Sequence, residues 1–150
     1  MPSATRTIAI DRSPDDVFAF FSDPANDQRW RGHVKEIAAE GTPGVGRHVH
    51  QLVEGPGGRG IAADIEVTAY DPPSHYAFQV VAGPARPRGE FTVTPTGTGS
   101  TVTFALAADL GGWKKFVMSG PVQASMDGEM AGLDKAKAIL ESPSAPDRSA

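Results

Sequence analysis

The chain of 150 residues has a formal net charge of −4 and contains no cysteine. The lack of cysteine excludes a disulfide framework, a thiol nucleophile and a cysteine-ligated metal. The mild acidity disfavours a nucleic-acid partner, because phosphates need a basic surface. Glycine and proline total 30 residues, and valine, isoleucine, leucine and phenylalanine together only another 30. Since the net charge is too small for a self-repelling coil, we expect one globular domain with few bulky aliphatic side chains.

The N-terminal part predicts a strand followed by two short helices. Residues 5–11 alternate in polarity, as a strand with one buried face does. Ser13 and Pro14 then mark a helix start, because serine caps the first turn and proline fits its first position. Apolar side chains follow at the i, i+3 and i+4 spacing of one helix face: Val17, Phe20 and Phe21. The dipeptide Asp23-Pro24 repeats the start signal and predicts a second short helix that ends near Trp30.

From residue 34 onward, short alternating segments separated by glycine- and proline-rich turns predict six further strands. We place them at residues 34–40, 47–54, 61–70, 75–82, 89–95 and 100–109. The turns are too short to hold crossover helices, so successive strands should pair antiparallel. Within the strands, apolar residues such as Phe91 and Val93 alternate with polar ones such as Glu90 and Thr92. This alternation is typical of a sheet with one covered face and one solvated face.

The segment from residue 113 to about 141 is the only long one left to cover the sheet. Its apolar residues step by three or four positions, as one helix face requires: Val122, Met126, Met130, Leu133 and Leu140. Pro121 lies inside the segment, so the helix either begins or kinks there. We expect residues 1–141 to form the single domain, and the proline- and serine-rich residues 142–150 to form a disordered tail.

This order of elements resembles the helix-grip fold of the START-like SRPBCC superfamily, and in particular its bacterial polyketide cyclase/dehydrase-type family. The similarity covers roughly residues 5–141. It rests on four segments: residues 10–24 with the following Trp30, residues 44–47, residues 66–73 and residues 99–104. The resemblance implies an α+β fold, in which a seven-stranded curved antiparallel sheet wraps around a long C-terminal helix, with two short helices after the first strand.

The resemblance also implies an apolar ligand cavity between the sheet and the C-terminal helix. Together with the strand alternation, it yields ten candidate ligand-binding residues. They are Ile65, Val67, Phe78, Val80, Phe91 and Phe104 from the sheet, and Trp30, Met118, Val122 and Met126 from the helical side. The alternative for each of them is simple packing in a solid core.

The expected function is the binding of a small hydrophobic molecule such as a lipid, a polyketide or an isoprenoid, without a cofactor. One alternative is an enzyme of the polyketide cyclase/dehydrase type, in which cavity groups would move protons along a poly-carbonyl chain. Another is a regulatory or interaction module. All three stay open, because the matching motifs are structural and the superfamily hosts several activities.

Few residues are candidates for chemistry. His48 and His50 share one face of a strand, and Asp64 and Glu66 have the same spacing on the next strand. Together they could hold a divalent ion, but Asp64 and Glu66 fall on the polar side of their strand. We therefore expect a solvated outer face and no metal. The strand around the histidines is ambiguous in polarity, so either residue could instead face the cavity.

Weak candidates for catalysis are His50, Arg88 and Asp109. Arg88 lies near a hairpin, where its guanidinium could meet an acidic ligand group. Asp109 marks the junction between the last strand and the C-terminal helix. A solvated arginine and a turn-forming aspartate are the plainer interpretations.

No apolar run approaches the roughly 20 residues of a membrane span, and the N-terminus shows no apolar signal core. We therefore expect a cytoplasmic protein without stable membrane insertion. Assembly into a homodimer is left open.

Overall fold

The computed structural model describes residues 2–83, 86–109 and 113–142, without the side chains of Pro56 and of residues 113–119. The described strands are β1 (Ser3–Ile10), β2 (Val34–Ala39), β3 (His48–Glu54), β4 (Gly60–Ala62), β5 (Ile65–Asp71), β6 (His75–Val80), β7 (Arg88–Thr96) and β8 (Gly99–Ala107). The helices are α1 (Pro14–Ser22), α2 (Asp27–Trp30) and α3 (Trp113–Leu140). Most predicted boundaries agree with these within two residues. The expected disordered tail lies almost wholly outside the described residues.

The strands form one antiparallel sheet in the order β1-β8-β7-β6-β5-β3-β2, and short β4 pairs with β3 beside this path. The sheet packs on α3, and two short helices follow β1. This arrangement confirms the predicted α+β class, with seven strands along the main path. No helix among the described residues is long and apolar enough to cross a bilayer.

The predicted strand at residues 61–70 is in fact two strands, β4 and β5. The break falls at Ala63 and Asp64, where both residues bond to Gln51 of β3. The Ala63 N–H donates to the Gln51 carbonyl at 2.9 Å, and the Gln51 N–H donates to Asp64 Oδ1 at 3.2 Å. The Asp64 carboxylate therefore takes a backbone bond of β3, which interrupts regular pairing.

Local capping explains the two short helices. Ser13 Oγ accepts a hydrogen bond from the Asp16 N–H at 3.2 Å, and Pro14 occupies the first turn of α1. Asp23 Oδ1 accepts from the Ala25 N–H at 3.0 Å and begins the short 3₁₀ turn that leads into α2. These contacts satisfy N–H groups that a helix start leaves without an intrahelical acceptor.

Helix α3 covers the concave face of the sheet. Its predicted apolar stripe is buried: Val122, Met126, Met130, Leu133 and Leu140. The helix runs from Trp113 to Leu140 with Pro121 inside it, so it does not begin at the proline. Polar contacts fasten its outer side to β1: Arg6 pairs with Asp134, and Gln123 bonds both backbone groups of Ser3.

Aromatic rings supply much of the core that the scarce aliphatic residues leave unfilled. The rings of Phe91 and Phe104 stack with centroids 4.1 Å apart, and Phe21 stacks on Phe91 at 4.8 Å. Trp30 meets Phe21 edge-on at 5.4 Å. Stacked and edge-on pairs of this kind contribute about 0.5–1.5 kcal/mol each beyond the area they bury.

A glycine allows the close approach of α3 to the end of α2. A Cβ atom on Gly132 would lie 2.8 Å from the Trp30 carbonyl oxygen and 3.2 Å from its ring atom Cε3. Gly128, one turn earlier on α3, has nothing within 4 Å of such a position. The two glycines therefore differ in packing while sharing the same helix.

This difference predicts opposite effects of two alanine substitutions. Gly128→Ala should raise the free energy of unfolding by about 0.5–1 kcal/mol, because alanine favours the helix. Gly132→Ala should lower it by roughly 1–3 kcal/mol, because overpacking against the Trp30 backbone outweighs that gain. Urea unfolding of both variants measures the effect. Equal stabilisation by the two substitutions would show that α2 and α3 do not approach as described.

Candidate functional site

A cavity of about 500 Å³ lies between the sheet and α3. Eight of the ten candidate ligand-binding residues line it: Trp30, Ile65, Phe78, Val80, Phe91, Phe104, Val122 and Met126. Val67 is buried in the main apolar cluster instead and does not line the cavity. The side chain of Met118 lies outside the described residues. That the lining residues bind a ligand stays a prediction.

One side of the cavity is lined by small side chains that the sequence did not single out. Ala62 and Ala63, at the β4–β5 junction, line it together with Gly55. Ala63 packs partly buried against the second apolar cluster, which contains Val49, Ile65 and Val80. Short side chains on this wall leave space that bulkier residues would fill.

The cavity also has a polar side, built around the guanidinium of Arg31. This group donates two hydrogen bonds to the Glu129 carboxylate on α3, both at 2.8 Å. A third donor, Nη1, reaches Asp27 Oδ2 at 2.9 Å and Gln51 Oε1 at 3.2 Å. His33 Nε2 lies 2.7 Å from Glu129 Oε1. All five residues line the cavity, and their contacts join α2, β3 and α3.

The two carboxylates of this network differ in their electrostatics. Burial alone would raise the pKa of Glu129, but Arg31 and His33 outweigh it and lower that pKa to about 2. Burial raises the pKa of Asp27 to about 6, since Arg31 offsets only part of the desolvation and Glu129 adds repulsion. Glu129 therefore carries a fixed negative charge at neutral pH, whereas Asp27 can exchange a proton near neutrality.

One buried polar atom has no hydrogen-bond partner among the described residues. The side-chain Nε1 of Trp30 is buried and has no hydrogen-bond acceptor among the described residues. The Trp30 side chain itself lines the cavity. A buried donor left unpaired costs about 1–3 kcal/mol.

The three weak candidates for catalysis lie away from the cavity. Val49 and Gln51 are buried on the inner face of β3, which places His48 and His50 on the outer face. Arg88 is exposed at the start of β7, and Asp109 is exposed just after β8. None of the three lines the cavity.

The polar network was not predicted from the sequence, although one residue of α3 indicates it. Glu129 falls on the apolar stripe of α3, three residues after Met126 and four before Leu133. A carboxylate on a buried helix face needs a cationic partner, so this position pointed to a buried ion pair. The partner could not be named from the sequence, because Arg31 lies in a short polar stretch that is typical of a solvated turn.

One family model matches nearly the whole chain. The family model described as "Polyketide cyclase / dehydrase and lipid transport" matches residues 1–141. No curated protein sequence matches the chain.

Solved structures share the fold at low identity. A protein from Thermus thermophilus is 17% identical with a TM-score of 0.74, and the match covers 94% of this chain and all of that one. The di-domain ARO/CYC proteins BexL, from the BE-7585A biosynthetic pathway, and StfQ, from the steffimycin biosynthetic pathway, are 19% and 16% identical. Their TM-scores are 0.77 and 0.75, and each match covers 93% of this chain. The chain spans about half the length of each di-domain protein, with 50% of BexL and 51% of StfQ covered.

The raised pKa of Asp27 predicts a pH dependence of stability. An unfolded aspartate has a pKa of about 3.9, so between about pH 4 and 6 the folded state holds a proton that the unfolded state has lost. The contribution of the Asp27 carboxyl to the free energy of unfolding is therefore largest below about pH 4, and it declines as the pH rises through about 6. The Asp27→Asn variant should not show this decline. Its free energy of unfolding minus that of wild type should therefore increase by up to about 3 kcal/mol between pH 4 and pH 7.

Urea unfolding at four pH values across this range measures the difference. The matched control is Asp127→Asn on the exposed side of α3, which should follow the wild-type profile. A constant difference between Asp27→Asn and wild type across the range would mean that the Asp27 carboxyl ionises equally in both states.

Proposed function

Because the chain belongs to the polyketide cyclase/dehydrase and lipid transport family, we propose that it binds a small hydrophobic molecule in the cavity between the sheet and α3. The observation that carries the proposal is the cavity itself, about 500 Å³ in volume and lined mainly by aromatic and aliphatic side chains. This is the size and character of cavities that enclose small ligands. At about 25 cal/mol per Å², burial of roughly 300 Å² of apolar ligand surface would contribute roughly 7 kcal/mol before the cost of association.

The distribution of lining groups supports a ligand with an apolar body and at least one oxygen. The aromatic rings of Trp30, Phe91 and Phe104 would pack against the apolar body. A carbonyl or hydroxyl oxygen of the ligand would lie toward the polar side of the cavity, which Arg31, His33 and Gln51 line. Lipids, polyketides and isoprenoids that carry carbonyl or hydroxyl groups all meet this description.

Cavity filling tests the binding site directly. Ser125 and its neighbour Ala124 on α3 are both exposed, but of the two only Ser125 lines the cavity. Wild-type protein should bind the neutral apolar fluorophore N-phenyl-1-naphthylamine with 1:1 stoichiometry, and binding should raise the melting temperature. Ser125→Phe should weaken that binding at least about tenfold, because the phenyl ring takes up ligand volume.

The matched control for this test is Ala124→Phe, which adds the same ring on the solvated side of α3 and should keep wild-type affinity. Fluorescence titration of the three proteins measures the dissociation constants. Absence of saturable binding to wild type, or equal weakening by the two phenylalanines, would contradict the proposed site.

A second candidate function is catalysis on a poly-carbonyl chain, and one observation favours it. Asp27 lines the cavity, and its pKa of about 6 suits a group that takes and returns protons at neutral pH. Arg31 suits the role less well, because its donors are already engaged by Glu129, Asp27 and Gln51. Asp27 would move a proton between carbon and oxygen atoms while the cavity holds the chain folded.

A poly-β-ketone thioester incubated with the protein tests this candidate. Cyclised product should form with wild type, and Asp27→Asn should slow its formation by about 10²-fold or more. Asp127→Asn should have no effect on the rate. If the fluorophore binds but no product forms, or if Asp27→Asn retains the wild-type rate, the protein binds its ligand without this chemistry.

A further inference from the structure

The outer face of the sheet carries a second cluster of functional groups, separate from the cavity. His48 and His50 of β3 project from the same face, with ring centroids 4.5 Å apart. Both rings are directed at one oxygen: Asp64 Oδ2 lies 3.1 Å from His48 Nε2 and 2.8 Å from His50 Nδ1. Glu40 Oε1 lies 3.2 Å from His50 Nε2. Asp64 and Glu40 therefore contact His50 through opposite ring nitrogens, Nδ1 and Nε2, and Asp64 also contacts His48.

The spacing of the donor atoms fits a metal centre. One donor atom each from Glu40, His48 and His50 lies within 4.8 Å of the other two. In a tetrahedral zinc site with bonds of about 2.0–2.1 Å, the donors lie about 3.3 Å apart. The Glu40 and His50 side chains are 63% and 53% exposed, so small rotations can close the remaining difference.

The backbone holds the other half of the cluster in place. The Glu40 N–H donates to the His48 carbonyl at 2.9 Å, which fixes the end of β2 beside β3. The Asp64 carboxylate is held by the Gln51 N–H at 3.2 Å. His48 and Asp64 are partly buried, so His48 is held in place, whereas the more exposed Glu40 and His50 can adjust.

We propose that Glu40, His48 and His50 form a binding site for one divalent transition-metal ion of the Zn²⁺ type, with Asp64 hydrogen-bonded to the two histidines and holding them in place. Imidazole nitrogen and carboxylate oxygen are ligands that Zn²⁺ takes in tetrahedral sites. The Glu40 carboxylate supplies one negative charge at the ion and Asp64 supplies a second one behind the histidines, as carboxylates beside metal-bound histidines do, and the site needs no cysteine. The sequence favoured a solvated outer face here, because the break at Asp64 that turns its carboxylate toward both histidines was not foreseen.

Bound metal would fasten the end of β2, the start of β3 and the β4–β5 junction to one another. Ile61, Ala62 and Ala63, which directly precede Asp64, line the cavity. An ion at this site would therefore anchor one cavity wall from outside. The site itself stands whether or not the cavity binds a hydrophobic ligand, since no cavity group takes part in it.

The test uses the full chain without an affinity tag, treated with chelator and then titrated with Zn²⁺. We expect one ion per chain by calorimetry, and a rise in melting temperature of roughly 5 °C or more at about a 100-fold excess over the dissociation constant. Titration with Co²⁺ should give the visible absorption of a tetrahedral site. Since even groups that only support a ligand contribute about 10–100-fold to affinity, His48→Ala with His50→Ala should weaken binding at least about 100-fold.

The matched control is His75→Ala, because His75 pairs with Glu90 at 2.9 Å on another part of the sheet. It should keep wild-type affinity for Zn²⁺. Glu40→Gln alone, an exposed and conservative change, should weaken binding at least about tenfold, and it serves as the decisive variant if the double histidine variant unfolds. No saturable Zn²⁺ binding by wild type, or equal affinity in wild type and the cluster variants, would overturn the proposal.

Discussion

One buried guanidinium ties together the elements that enclose the cavity. The Arg31 side chain is only 13% exposed, so its charge must be matched inside the protein, and its donors reach Glu129 on α3, Asp27 on α2 and Gln51 on β3. Removing one partner of such a buried pair is strongly destabilising, by about 3–5 kcal/mol, because the other charge is left uncompensated. The contact therefore sets where α3 lies relative to the sheet and to α2.

This constraint helps to keep the interior partly open. A helix held only by apolar contacts would settle onto the sheet until the space between them was filled, because dense packing is favourable. Here α3 is held at one side by the bidentate bond to Glu129 and at the other by the contacts of Asp134 and Gln123 with β1. Between these attachments, the buried aromatic rings form a solid part of the core, and the alanines at positions 62 and 63 leave the other part of the interior empty.

The packing of the interior accounts for the amino-acid composition. The chain contains seven phenylalanines, and three of them, Phe21, Phe91 and Phe104, stack where the sheet and the helices meet. The 21 alanines allow close packing at some places and empty space at others. The shortage of bulky aliphatic residues is thus compatible with a folded shell around a cavity.

The regular part of this structure was predictable and the irregular part was not. Alternation in β7 and β8, the Ser13 cap and the stripe of α3 each follow from local sequence patterns, so the positions of the strands and helices could be anticipated. Most lining residues were anticipated from this alternation together with the family resemblance. The break at Asp64 and the partners of Arg31 depend on contacts between residues far apart in the chain. No periodic pattern encodes them, although the type of Glu129 conflicts with its position on the apolar stripe of α3.

Gln51 of β3 is hydrogen-bonded both to the cavity network and to the cluster on the outer face. Its side-chain oxygen accepts from Arg31 in the cavity network, its side-chain nitrogen donates to the Ala63 carbonyl at 2.8 Å, and its backbone N–H donates to Asp64 of the histidine cluster. Gln51 is 5% exposed, so these bonds are shielded from water and keep fixed geometry. A displacement of Asp64 on the outer face would have to strain or break a bond to Gln51, and a displacement of Arg31 in the cavity would do the same from the inner face. The polar side of the cavity and the cluster on the outer face are therefore parts of one hydrogen-bonded unit, joined through a single strand.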